Sequence, residues 1–107
     1  MAGLVHEDLV LHVPGHHPTA GEYAGVDGLL AFAEASRATG ATIAAREVID
    51  VLEGQEHVAV YCRIHGRRTD RADLDNLTLH LYRVQEGRVA EIWFHNRDQD
   101  AVDGFWG

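Results

Sequence analysis

Apolar and polar positions along this chain follow two rhythms. Residues 8–13, DLVLHV, alternate as a short strand and stop at Pro14–Gly15. Past the following loop, VDGLLAFAEASRATG sets Val26, Leu29, Leu30 and Ala33 at helical spacing, with Asp27 in the first turn and Gly40 as a stop. Beyond Gly40 the period falls to two. ATIAAREVIDVLEG (41–54) predicts a long strand, HVAVYCRIHGR (57–67) a second rich in β-branched residues, and RTDRAD the turn after it. LDNLTLHLYRV (74–84) and RVAEIWFHNR (88–97) form the clearest hairpin, joined by Gln85–Glu86–Gly87 with Gly87 in a left-handed position and a bulge. A strand, a helix and a four-strand antiparallel meander predict an α+β fold, a curved sheet packed on one main helix. No repeat, low-complexity run or linker interrupts residues 1–107, so one domain is expected.

Alternation also assigns faces. Thr78, His80, Tyr82 and Val84 share one side of their strand, and Leu77, Leu79, Leu81 and Arg83 the other. Both sides carry apolar bulk, so both need cover. A helix or pocket would take one side and a partner subunit the other, because a bare leucine stripe invites aggregation. A homodimer or higher homo-oligomer is the expected assembly.

Composition removes several classes of chemistry. The formal charge is −8, and all nine cations are Arg. That balance argues against nucleic acid, which needs clustered cations. With no Lys a Schiff base has no amine, and with Ser36 as the only Ser a serine hydrolase has almost nothing to build on. No window is apolar enough to span a membrane, and MAGLVHEDLV has no signal-peptide pattern. A lone Cys62 cannot form an intrachain disulfide, and together these features predict a cytoplasmic protein.

LHVPG (11–15), AGEYAGVDGLLAF (20–32), HLYRVQEGRVAEIW (80–93) and DQDAVDGFW (98–106) together resemble the SnoaL-like branch of the nuclear-transport-factor-2-like superfamily, related to ketosteroid isomerases. The resemblance implies an N-terminally shortened α+β cone whose concave face lines a pocket for a small hydrophobic ligand or substrate. Val60, Cys62, Ile92, Phe94 and Asn96 would line it. The activities it implies are those of a cofactor-free isomerase or cyclase, or of a hydrolase or dehydratase; other members only bind or assemble. Fold does not decide among these. Such proteins begin with an added helical segment of roughly two dozen residues, whereas here the first strand starts almost at Met1. Another subunit is expected to supply the missing wall, through the sheet or the C-terminal DGFWG tail. Phe94 stands where cyclase members carry the Asp that acts as general base.

Four residues are the catalytic candidates. His80 falls where the resemblance puts a donor to a developing oxyanion, and a neutral imidazole can donate there; otherwise it is a core His with a satisfied hydrogen bond. Tyr82, two residues on, offers a phenol or is simply core. Asp98 shares parity with Phe94 and Asn96 and is either a base at the pocket's wide end or an acid capping a final turn. His12 occupies the strand where ketosteroid isomerases place their base; otherwise it bonds to backbone. The loop 12–25, HVPGHHPTAGEYAG, raises a metal reading through His16, His17 and Glu22. Adjacent His residues point apart in extended chain, so no metal site and no cofactor are expected. Cys62 shares a face with Val58, Val60 and Ile64 as a small hydrophobe, while Trp93, Phe105 and Trp106 read as packing groups.

Overall fold

The computed structural model describes residues 4–107; the first three residues of the segment read as free of a signal peptide lie outside that range. The elements run β1 (Val5–Val13), β2 (Gly21–Ala24), α1 (Gly25–Ala38), β3 (Thr42–Glu53), β4 (His57–Arg68), β5 (Arg71–Gln85), β6 (Arg88–Asn96) and α2 (Gln99–Trp106). They form one six-stranded sheet of order β2-β1-β6-β5-β4-β3. Neighbours are antiparallel except β1 and β6, which lie parallel, so the sheet is mixed. The fold is α+β, a curved sheet with helices on one side.

Inserted residues in the strands contribute to the curvature. They interrupt β3 after Ile43 and Val48, β6 at Ala90, and β1 between Val5 and Val10. Each extra residue bends its strand and adds right-handed twist. The β5–β6 connection is tighter than the sequence suggests. Gln85 pairs with Arg88, leaving only Glu86 and Gly87, both with positive φ (55° and 74°), as a two-residue hairpin loop. The turn before β5 likewise shrinks to Thr69–Asp70, since Arg68 pairs with Arg71.

Both helices lie on the same side of the sheet. Phe32 of α1 meets Tyr23 and Phe94, with ring centroids 5.3 and 6.1 Å away. Gly28, Leu29, Phe32, Ala35 and Ser36 are the half-buried positions of α1 near the sheet. Val26, Leu30 and Ala33, three of the four members of the apolar stripe read from sequence, are instead exposed. Helix α2 is the second departure, because its tail was expected to cover a neighbouring subunit. Phe105 is only 3% exposed and packs with Val102 on Leu74 of the same chain. Gly66 makes room for it, since a Cβ there would stand 2.8 Å from the Phe105 ring.

A polar network ties the loop after β1 to α2. The backbone N–H of His16 donates to Asp103 Oδ1 at 3.0 Å. Gln99 Nε2 donates to that oxygen and to the Pro14 carbonyl, and Asn96 Nδ2 donates to Gln99 Oε1. Gly15 (φ 110°) lies so close that a Cβ would overlap Asp103 and Gln99. Among the described residues no helix is long and apolar enough to cross a membrane.

Candidate functional site

Strand register lines up the concave side in rows. One row joins Val58, Tyr82 and Ile92, the next Val60, His80 and Phe94, the third Cys62, Thr78 and Asn96. Period-two alternation puts all nine on one face, and Phe32 of α1 covers part of it. Thus Val60, Cys62, Ile92, Phe94 and Asn96 share a surface with His80 and Tyr82. The third row is internally satisfied. Thr78 Oγ1 and Asn76 Nδ2 each donate to Asn96 Oδ1 at 2.9 Å, and the Cys62 thiol points at the Thr78 carbonyl.

His80 stands at the centre of this face, its ring centroid 4.3 Å from that of Phe94. Burial among apolar neighbours, helped by the positive charge of Arg46, pushes its pKa down to about 4. The imidazole is therefore neutral at pH 7. Its ring makes no hydrogen bond to another described residue, nor does the Tyr82 hydroxyl. Burial raises the pKa of Tyr82 and of the Cys62 thiol, so both keep their protons at neutral pH. The concave positions of β4, β5 and β6 hold no carboxylate. What this surface offers is neutral donors and acceptors on an apolar floor.

The other two catalytic candidates lie elsewhere. Asp98 was expected to follow the parity of Phe94 and Asn96, but β6 ends at Asn96 and alternation ends with it. Its carboxylate instead caps α2, accepting from the Ala101 N–H at 3.1 Å, and it is exposed. His12 pairs in register with Trp93 on the convex face, opposite His80. It stacks on the Trp93 indole at 5.4 Å, donates to Glu91 at 2.5 Å, and lies 3.1 Å from Glu22. Glu91, held by His12 and further by Arg83, has its pKa lowered. His12, Glu22 and Trp93 line a shallow depression of about 340 Å³ with Val13, Pro14, Phe94 and His95, and neither His80 nor Tyr82 lines it.

The His-rich loop is a fastening. The His17 side chain is buried with Nδ1 2.9 Å from Thr19 Oγ1, burial lowers its pKa, and Nε2 makes no hydrogen bond among the described residues, with Asp103 Oδ1 3.9 Å away. His16 is exposed, and Glu22 turns to His12. Among the described residues no three His, Cys, Asp or Glu side chains gather to hold a metal ion.

Sequence reading passed over Arg46. Register sets it opposite Ile64, one step before Val48 meets Cys62, on the concave side of β3. A cation among the inward-facing Val48 and Val51 of a strand whose other charges are all acidic was the available signal. The β3 bulge obscured it, because simple alternation does not carry across an inserted residue.

A curved sheet holding both helices and a cluster of neutral polar groups on its concave side defines the nuclear-transport-factor-2-like class of cone folds. Within that class the chain belongs to the SnoaL-like domain family, whose model matches residues 1–92. It is similar in structure to Bal32a from a soil-derived mobile gene cassette, at 26% identity and TM-score 0.86, over 98% of this chain and 80% of that one. A second similar structure is a nuclear-transport-factor-2-like protein from Burkholderia xenovorans (22% identity, TM-score 0.81, 94% and 76% covered). A third is TerC, co-crystallised with polyporic acid (14% identity, TM-score 0.76, 92% and 76% covered). No curated protein sequence matches the chain.

Proposed function

We propose that the concave face binds a small, largely apolar molecule and holds an oxygen of that molecule through His80 and Tyr82. The observation that carries this reading is the His80 imidazole, neutral and without a protein partner at the centre of an apolar sheet face. A neutral imidazole presents one donor and one acceptor, and a protonated phenol adds a donor. Val60, Cys62, Ile92 and Phe94 supply the apolar contacts, with Asn96 at the end of the face. TerC, a protein of similar fold co-crystallised with polyporic acid, supports a role in binding small molecules.

Binding is favoured over proton abstraction by the pKa itself. A base whose conjugate acid has a pKa of about 4 gains little driving force from taking a proton off carbon. Amide shifts on titration with 1-acetonaphthone, a flat aromatic ketone, test the proposal. Shifts should cluster at residues 58–62, 78–82 and 92–96, and Val60→Trp should abolish them. His80→Phe should weaken binding by about three- to tenfold, the worth of one hydrogen bond. Shifts spread over the convex face would sink the reading. An isomerase or cyclase is the second reading, favoured by the free imidazole that could polarise a carbonyl as an enolate forms. Catalysed deuterium exchange next to the ketone carbonyl, lost in His80→Phe, would support it.

The same proposal extends to assembly. Leu77, Leu79 and Leu81 share the convex face with Tyr61 and Trp93, opposite both helices, and a second copy would cover that stripe.

A further inference from the structure

Arg46 differs from most of the guanidinium groups on this sheet. Arg63 is paired with Asp75, Arg67 with Asp73, Arg68 with Asp70, and Arg83 with Glu91. Arg46 has no carboxylate within ion-pair distance among the described residues, yet it sits on the concave side of β3. Its nearest neighbours there are apolar: Ile64 lies opposite it, and Val48 and Val51 follow on the same side, 62% and 50% exposed, with Glu53 beyond them opposite Val58. Its charge reaches inward. It bears on Cys62, His80 and Tyr82 alike, holding down the pKa of each. Register places Arg46 on the same face as these three groups, which lie along β4 and β5.

That placement inverts the local field. The chain carries a formal charge of −8, so an anion approaching at random meets net repulsion. Over the concave face it meets an exposed cation without an ion-pair partner among the described residues, set beside an apolar floor. A guanidinium also presents a planar fork of donors that suits two oxygens at once.

We infer that the molecule taken by the concave face is an apolar acid, whose ionised oxygen pairs with Arg46 at the β3 edge while its skeleton lies across Val60, Ile92 and Phe94. The inference rests on the binding reading above and adds to it the charge of the ligand. The shared chemistry is an anionic oxygen on a hydrophobic frame, whether carboxylate, enolate or phenolate. His80 and Tyr82 then hold a second, neutral oxygen, and Arg46 discriminates acid from neutral analogue.

A matched pair of fluorescent probes separates charge from shape: 8-anilinonaphthalene-1-sulfonate is N-phenyl-1-naphthylamine with one added sulfonate. The full chain should bind the sulfonate more tightly than the neutral amine, despite the net charge. Arg46→Gln should weaken sulfonate binding about five- to tenfold, between the usual worth of an exposed ion pair and of a charged hydrogen bond. Arg46→Lys should restore most of it. Binding of the neutral amine should stay within about twofold in both variants, which also reports that the face is intact. If Arg46→Gln leaves the ratio of the two affinities unchanged while Val60→Trp abolishes both, the face binds ligands but Arg46 does not select acids, and the inference is wrong. If Val60→Trp leaves both affinities intact, the concave face is not the site, and the binding reading falls together with this one.

Discussion

Replacing His80 by Phe should remove a defined part of the chain's sensitivity to mild acid. The folded state keeps this imidazole neutral, with a pKa of about 4 against an ordinary 6.5, because protonation would put a charge among Val60, Phe94 and neighbouring apolar groups. Below pH 6.5 the unfolded chain takes up a proton that the folded chain refuses, so stability must fall as pH falls. Relative to pH 7 the loss from His80 alone is about 0.7 kcal/mol at pH 6 and about 2 kcal/mol at pH 5, levelling off below pH 4. Urea unfolding at pH 7, 6 and 5, followed by tryptophan fluorescence, measures it. Other groups titrate too; His17 is pushed the same way by burial, so the quantity to read is the difference between wild type and His80→Phe at each pH. That difference should move in favour of the variant by about 2 kcal/mol from pH 7 to pH 5. A difference that stays flat across the range would show that His80 is either solvated or paired, and the account of a desolvated, ligand-ready imidazole would fail.

Asp98→Ala should destabilise the fold by about 1 kcal/mol through loss of the α2 cap, seen as a lower melting temperature, with no change in probe affinity; a selective loss of binding would return Asp98 to the site. Gly66→Ala should cost about 1–3 kcal/mol, because its Cβ would press on the Phe105 ring 2.8 Å away. Trimming that ring by Phe105→Leu in the same chain should recover part of the loss in a chemical denaturation series. Leu79→Glu on the convex face should shift the chain to monomer in size-exclusion chromatography with light scattering, and an unchanged oligomer would move the interface elsewhere.

Much of this molecule is legible in its residue pattern. Period-two alternation identifies β4, β5 and β6 and groups Val60 with Cys62, His80 with Tyr82, and Phe94 with Asn96 on their own strands, since the strand's geometry forces every second side chain to the same side. Helical spacing and Gly40 bound α1 closely. Local chemistry carries this information, and sequence holds local chemistry directly.

Alternation says which residues share a face but not which way that face looks, and only packing gives the sign. Phe32 on Phe94 and Phe105 against Gly66 make the His80 side concave; the parallel pairing of β1 with β6, across some eighty residues, then turns His12 outward beside Trp93. The end of β6 converts Asp98 from a strand residue into a helix cap. The bulges of β3 bring Arg46 to the rim of the site. Sequence by itself determined five of the six strands, the main helix and the company each side chain keeps along its own strand, while β2 and α2 emerged only with the tertiary structure. Tertiary structure decided which acids and cations reach the pocket, because those depend on contacts between segments far apart in the chain, where a single inserted residue reverses a face.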